Sequence, residues 1–222
     1  MKFVVELFLE AIAPRTCKTC YSPLGLYEGV YEYCNSCTLD WFLLESDSVS
    51  EVLIGERFSS FWSAVGFKLK EGSTKDLIYK CKYSGRSHLL VELGKWFAKH
   101  NKLPHDDVVL IPIPLHWKRK FTRGYNQAEL LAKGMAGVWD VEVDSWSLKR
   151  GINKKSLTSS NRRTRSTVVK DVFYFSPGYC DIETPVILVD DVLTTGSTLR
   201  ACREILEKNG RTVLGAAVLA LA

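Results

Sequence analysis

The stretch Val186-Ile187-Leu188-Val189-Asp190-Asp191-Val192-Leu193-Thr194-Thr195-Gly196-Ser197-Thr198-Leu199 decides how this chain is read. The apolar run from Pro185 to Val189 reads as a buried strand with two adjacent carboxylates at its carboxyl end. A loop of small hydroxyl residues around Gly196 then enters a helix over Ser197 to Asn209, ended by Gly210. In open α/β sheets, ligands lie beyond the carboxyl ends of strands. A helix amino terminus adds unpaired N–H groups and a dipole that favours phosphate. Gly196 lets the backbone approach such a group, and Thr194, Thr195, Ser197 and Thr198 add hydroxyl donors. Asp190 and Asp191 are consecutive, so they point in different directions, and one or both would grip ribose hydroxyls directly or through magnesium. The arrangement suits a phosphorylated sugar better than an ordinary capped turn. It is not a Walker loop, because the Gly-Lys-[Ser/Thr] ending is missing.

Upstream, the pattern alternates between strand and helix. Val108 to Ile111 is a short buried strand closed by Pro112 and Pro114. Asn126 and Glu129 have the spacing of a capping box, with Ala128, Leu131, Ala132 and Met135 as the apolar stripe behind them. A second helix, with Leu89, Leu90, Leu93, Trp96 and Phe97 on one face, is expected to run to about His100, and a shorter one spans Thr74 to Cys81. Val141 to Trp146 alternates as a strand, Val172 to Phe175 is another, and Thr212 to Leu221 is a final buried one. Val52 to Leu69 is either a strand pair or a strand and a helix. Alternation of this kind implies crossover connections and a mostly parallel sheet with helices on both faces, the α/β class.

At 222 residues, with 46% hydrophobic and 25% charged residues, the composition is that of an ordinary globular chain with room for one sizeable core. The longest nearly apolar stretch, Val213 to Ala222, is too short for a membrane span, which needs roughly 20 residues. Glu6 and Glu10 interrupt the apolar opening segment Met1 to Ala13, which reads as a short amphipathic helix and not a secretory signal, so a cytoplasmic location is expected. The net charge of +5 is concentrated in two blocks. Lys149 to Lys170 holds eight basic residues and Val108 to Ala128 four, neither with an acid, leaving 18 basic against 25 acidic residues elsewhere. Blocks of like charge call for an anionic partner.

Seven cysteines are present, and four have diagnostic spacing: Cys17 and Cys20, then thirteen residues, then Cys34 and Cys37. Two such knuckles bring four thiolates to within about 2.3 Å of a zinc ion, and four protein ligands leave no open position. The site is expected to be structural, in a zinc-ribbon-like module over residues 1–50, with the α/β domain over 51–222. Two disulfides are the alternative, disfavoured in a reducing compartment. Cys81, Cys180 and Cys202 lack such spacing and read as buried spectators.

The loop from Val186 to Leu199 resembles the signature for 5-phosphoribosyl 1-pyrophosphate (PRPP) in type I phosphoribosyltransferases. The paired cysteines, Lys82-Tyr83-Ser84-Gly85, Ile111-Pro112-Ile113-Pro114-Leu115 and Arg123-Gly124-Tyr125-Asn126-Gln127 come in the order found in the ComF branch, which is linked to competence and DNA uptake. That resemblance implies a type I phosphoribosyltransferase-like domain. Asp190 and Asp191 would contact ribose as catalytic residues, Thr194, Thr195, Gly196, Ser197 and Thr198 the 5-phosphate, and Arg119 and Arg123 the pyrophosphate. It also implies magnesium-dependent phosphoribosyl transfer with release of pyrophosphate to an acceptor that no residue names. The chain departs from the ComF pattern in its long basic segment, which reads Lys154, then Arg162 with Arg165 where an Asn is usual. By position that segment resembles the lid that type I enzymes fold over PRPP. The rival reading is a non-catalytic platform for single-stranded DNA or DNA-uptake proteins. It rests on Trp117, Phe121 and Tyr125 interleaved with Lys118, Arg119, Lys120 and Arg123, a pattern that single-stranded nucleic acid binding uses.

Overall fold

The computed structural model describes residues 15–17, 21–24, 34, 61–68, 78–79, 87–116, 121–151, 173–177 and 180–222. The expected helix over Met1 to Ala13, the linker at 45–50, Cys20, Cys37, Trp117, Arg119 and the body of the basic segment lie outside them. The described elements run β1 (Trp62–Lys68), α1 (Ser87–His100), β2 (Val109–Pro112), α2 (Gln127–Trp139), β3 (Glu142–Val143), β4 (Leu148–Arg150), β5 (Phe173–Phe175), β6 (Val186–Leu193), α3 (Ser197–Lys208) and β7 (Val213–Leu221). The ambiguous Val52–Leu69 segment thus contributes a strand, and Ile78 and Tyr79 are helical within the shorter expected helix.

Five strands form one sheet in the order β1-β7-β6-β2-β3. Every pairing in it is parallel. β2, β7 and the first half of β6 are apolar, as strands buried on both faces must be, and Asp190 and Asp191 fall toward the carboxyl end of β6. Their alternation splits the core in two. Leu110, Ile187 and Val189 join Leu93, Phe97, Leu131 and Met135 of α1 and α2, whereas Val109, Ile111 and Leu188 join Leu199, Cys202 and Leu206 of α3. Cys17, Leu24 and Cys34 are buried with the first group.

Close backbone contact sets the α1–α2 crossing. A Cβ on Gly134 would lie 2.1 Å from the Val91 carbonyl oxygen, and one on Gly94 2.3 Å from that of Leu131. At the far end of α2, Trp139 donates its indole N–H to the carbonyls of Ala98 and Asn101, each at 3.1 Å.

Two local expectations are corrected. Val141 to Trp146 is not one strand: β3 stops at Val143 because the Asp144 carboxylate accepts the N–H groups of Trp146 and Ser147, at 2.8 and 2.9 Å, and the Ser147 hydroxyl. That turn redirects the chain into β4, which pairs antiparallel with β5 as a separate two-stranded sheet. The capping box at α2 does not form either. Asn126 makes no side-chain cap; its Nδ2 instead donates to the Ile113 carbonyl at 3.0 Å, a tertiary bond that ties together the two ends of the basic loop.

Candidate functional site

The sheet order creates one place where the chain turns away on both sides. From β2 the crossover through α2 leads outward to β3, while from β6 the crossover through α3 leads the opposite way to β7, and β2 and β6 are neighbours. Such a topological switch point opens a crevice at the carboxyl edge, the usual ligand position in open α/β sheets. The segments that follow these two strands, beginning at Ile113 after β2 and at Thr194 after β6, are the two singled out from sequence.

β6 runs further than the apolar pattern suggested, to Leu193, because Asp190, Val192 and Leu193 continue the ladder with β7. Pairing with β2 stops at Val189, where the Ile113 N–H donates to the Val189 carbonyl at 2.8 Å. Asp190 and Asp191 therefore lie just where β2 ends, both half-buried. Alternation sends their side chains to opposite faces. The Asp191 N–H donates to Asp190 Oδ1 at 2.8 Å, which orients the first carboxylate. Burial pushes the Cys202 thiol of α3 well up, with the Asp190 charge adding to the shift and Arg150 opposing it. Asp190 and Arg150 thus both act on the α3 side of the site. Arg150, at the end of β4 with its guanidinium 5.1 Å from the Phe173 ring centre, was not read from sequence as a site residue. Its only sequence signal was its place at the start of the basic block.

The loop after β6 turns at Gly196, whose φ of 70° and ψ of 0° are left-handed and suit glycine. Gly196 is buried, while Thr194, Thr195 and Ser197 are exposed and Thr198 half-buried. The hydroxyls therefore face outward and the glycine backbone tucks beneath them. The Thr195 hydroxyl donates to Ser197 Oγ at 3.1 Å and accepts the Ser197 N–H at 3.5 Å, the Arg200 N–H closes the first helical bond to the Gly196 carbonyl at 2.9 Å, and Gly196 at the N-cap has no side chain to cap α3. First-turn N–H groups of a helix have no partner within it, so they point out of this end. In the segment after β2, Arg123 is half-buried and Phe121 is 89% exposed, but Tyr125 packs against the α1–α2 core. Of the three aromatics of this loop, Tyr125 is partly buried against the core, Phe121 is exposed and Trp117 lies outside the described residues.

The four-cysteine module is described only in part. Cys17 and Cys34 are buried. Around Cys17 the chain folds back in a tight turn: the Tyr21 N–H donates to the Cys17 carbonyl and the Cys17 N–H to the Ser22 carbonyl, both at 2.8 Å, with Tyr21 at a φ of 59°. Cys20, the second cysteine of that pair, lies outside the described residues. Zinc there is a proposal.

Fold and site together define a parallel α/β protein with an acid pair and a hydroxyl-rich helix-entry loop at its switch point. No protein-family model matches the chain. It is 36% identical over 112 residues to Competence protein F of Haemophilus influenzae, covering 49% of this chain and 47% of that protein. To Competence protein ComFC of Bacillus subtilis it is 31% identical over 137 residues, covering 60% of this chain and 54% of the relative. To DNA utilization protein YhgH of Salmonella typhi it is 27% identical over 146 residues, covering 60% and 61%. These relatives support the ComF resemblance. The chain spans about half to three-fifths of their lengths. Similar solved structures include a purine phosphoribosyltransferase from Pyrococcus horikoshii, at TM-score 0.34 and 12% identity over 72% of this chain and 87% of that one. Another is adenine phosphoribosyltransferase from Leishmania donovani, at TM-score 0.38 and 13% identity over 75% and 86%. Among the described residues, no helix is long and apolar enough to cross a membrane.

Proposed function

We propose that the crevice between β2 and β6 binds PRPP and that the chain transfers its phosphoribosyl group with release of pyrophosphate, in the competence and DNA-utilization setting that its relatives' names carry. The observation that carries this reading is the meeting, at one switch point, of Asp190 and Asp191 with the Thr194–Thr198 loop at the α3 amino terminus.

The 5-phosphate sits on the outward hydroxyls and first-turn N–H groups around Gly196. Asp190, oriented by the Asp191 N–H, and Asp191 take the ribose hydroxyls. The pyrophosphate lies toward the basic loop after β2, where Arg123 and Arg119 neutralise it. Asp190 and Asp191 are hard oxygen donors that fit magnesium, which when bound supplies further charge neutralisation on the leaving group. As the bond to pyrophosphate breaks, positive charge develops at C1 of the ribose, and the two nearby carboxylates favour it electrostatically. An acceptor nucleophile then attacks that carbon.

Purified protein supplied with magnesium and PRPP, assayed for pyrophosphate release over a panel of nucleobases and DNA ends, tests the reading. Release with at least one acceptor is expected. PRPP binding without release on any of them would favour the non-catalytic platform. Failure to bind PRPP would remove the proposal.

A further inference from the structure

Gln127 is the first residue of α2 and is only 2% exposed, yet its Nε2 amide is buried with no hydrogen-bond partner. Buried donors are nearly always paired, because an unmatched one gives up its hydration without return. Packing alone does not account for this one. Leu131, one turn further along the same buried stripe, fills a comparable volume without a polar atom.

Two features place the amide. Helical side chains lean toward the amino end of their helix, so that of the first residue reaches past the helix start. That start is pinned to the end of β2: Asn126 Nδ2 donates to the Ile113 carbonyl at 3.0 Å, and the Ile113 N–H donates to the carbonyl of Val189, the residue before Asp190, at 2.8 Å. The carboxamide is therefore carried on the β2 border of the crevice.

This helix end also favours an anion. Asn126 supplies no side-chain cap, and the Leu130 N–H makes the first helical bond, to the Asn126 carbonyl, so the N–H groups of Gln127, Ala128 and Glu129 have no partner within the helix. Glu129, the acid of the first turn, is held by Lys133 at 2.9 Å. α2 packs on the sheet face that carries Leu110 and Val189, and α3 on the opposite face with Val109 and Leu188. The crevice thus has a helix amino end on each side, one bearing hydroxyls and the other a buried carboxamide. A ligand with phosphate at both ends matches that pair.

We propose that Gln127 is a specificity-determining residue whose Nε2 donates to a pyrophosphate oxygen of PRPP and so distinguishes it from ribose 5-phosphate, which reaches only the α3 end. The inference rests on the PRPP reading of the crevice. Because Nε2 gives up no other partner, it gains the whole of a charge-assisted bond from the oxyanion, while a sugar lacking that group leaves it unmatched.

Calorimetric titration of the full chain with pyrophosphate, PRPP and ribose 5-phosphate, each with magnesium, tests the assignment alongside thermal unfolding. Gln127→Leu removes the donor at similar volume and should weaken pyrophosphate and PRPP roughly 10- to 150-fold, the worth of one charge-assisted hydrogen bond, with ribose 5-phosphate affinity unchanged. Its melting temperature should equal or exceed that of the wild type, since an apolar group replaces an unmatched amide. Gln127→Glu keeps the size but sets a carboxylate against the anion, and should lose pyrophosphate binding altogether. Wild-type pyrophosphate affinity in either variant, or pyrophosphate and ribose 5-phosphate weakened alike, would overturn the proposal. So would a wild-type chain that binds ribose 5-phosphate but not pyrophosphate. A wild-type chain that binds pyrophosphate through Gln127 yet takes up no ribose 5-phosphate would uphold the contact and count against the sugar-phosphate reading instead.

Discussion

Replacing Gly196 by alanine tests whether the helix-entry loop is held in a binding geometry by its backbone. With φ at 70°, an added Cβ strains the left-handed conformation by about 1–2 kcal/mol. The chain can keep the conformation and lose that stability, which for this length lowers the melting temperature by roughly 2–8 °C. Alternatively it can relax the turn. Relaxation would move the Thr195 and Ser197 hydroxyls, now 3.1 Å apart, and the N–H groups at the start of α3 out of register with a phosphate. Losing one charge-assisted hydrogen bond costs about 1.5–3 kcal/mol, or roughly 10- to 150-fold in affinity. Thermal unfolding and calorimetric titration with PRPP and magnesium, run on the same preparations, read the two outcomes. Gly196→Asn is the control: asparagine tolerates the left-handed region and should recover most of the melting temperature. A Gly196→Ala protein with both wild-type melting temperature and wild-type affinity would refute the reasoning.

Other expected outcomes follow from particular contacts. Gly134→Ala should destabilise the fold by about 1–2 kcal/mol, because the clash with the Val91 carbonyl outweighs the gain in helix propensity; denaturant unfolding measures it. Asn126→Asp replaces the donor to the Ile113 carbonyl with a carboxylate that cannot donate, and should cost about 1 kcal/mol of stability and weaken pyrophosphate binding roughly 5- to 10-fold, read by thermal unfolding and calorimetric titration. Burial, the hydrogen bond to Glu142 and the nearby Asp144 push the Cys180 thiol from its ordinary value near 9.0 up to about 11, against the pull of Arg211. Alkylation of Cys180, followed by mass spectrometry, should therefore rise only above about pH 10. The stability gained by retaining that proton is present below about pH 9 and lost as the pH rises toward 11. If the four-cysteine module holds metal, purified protein should carry about one zinc per chain by elemental analysis, and Cys17→Ser should lose it together with thermal stability.

The β6–α3 unit was legible in sequence because an apolar run, a glycine and a helical stripe each speak locally. The extent of β6 was not, since its last residues pair through their backbones with β7 and a ladder is indifferent to the carboxylates at Asp190 and Asp191. Asn126 and Glu129 satisfied a local capping rule, yet a tertiary acceptor, the Ile113 carbonyl, took the asparagine amide. Alternation through Val141 to Trp146 concealed a turn that only the Asp144 side chain makes, and with it the hairpin that displays Trp146. Both loops of the candidate site were found by composition. Their meeting at a switch point depends on strand order, which neither loop encodes. Arg150 belongs to the same class: its nearness to the site comes from the packing of the hairpin against α3, not from its neighbours in the chain.

The most direct measurement is a calorimetric titration of PRPP, with magnesium, into the wild-type chain and into Asp190→Asn/Asp191→Asn. Saturable heat in the wild type that is lost or greatly weakened in the folded double variant is the expected result. A wild-type chain that takes up no PRPP, or a double variant that takes it up equally well, would show that the crevice between β2 and β6 is not a sugar-phosphate site.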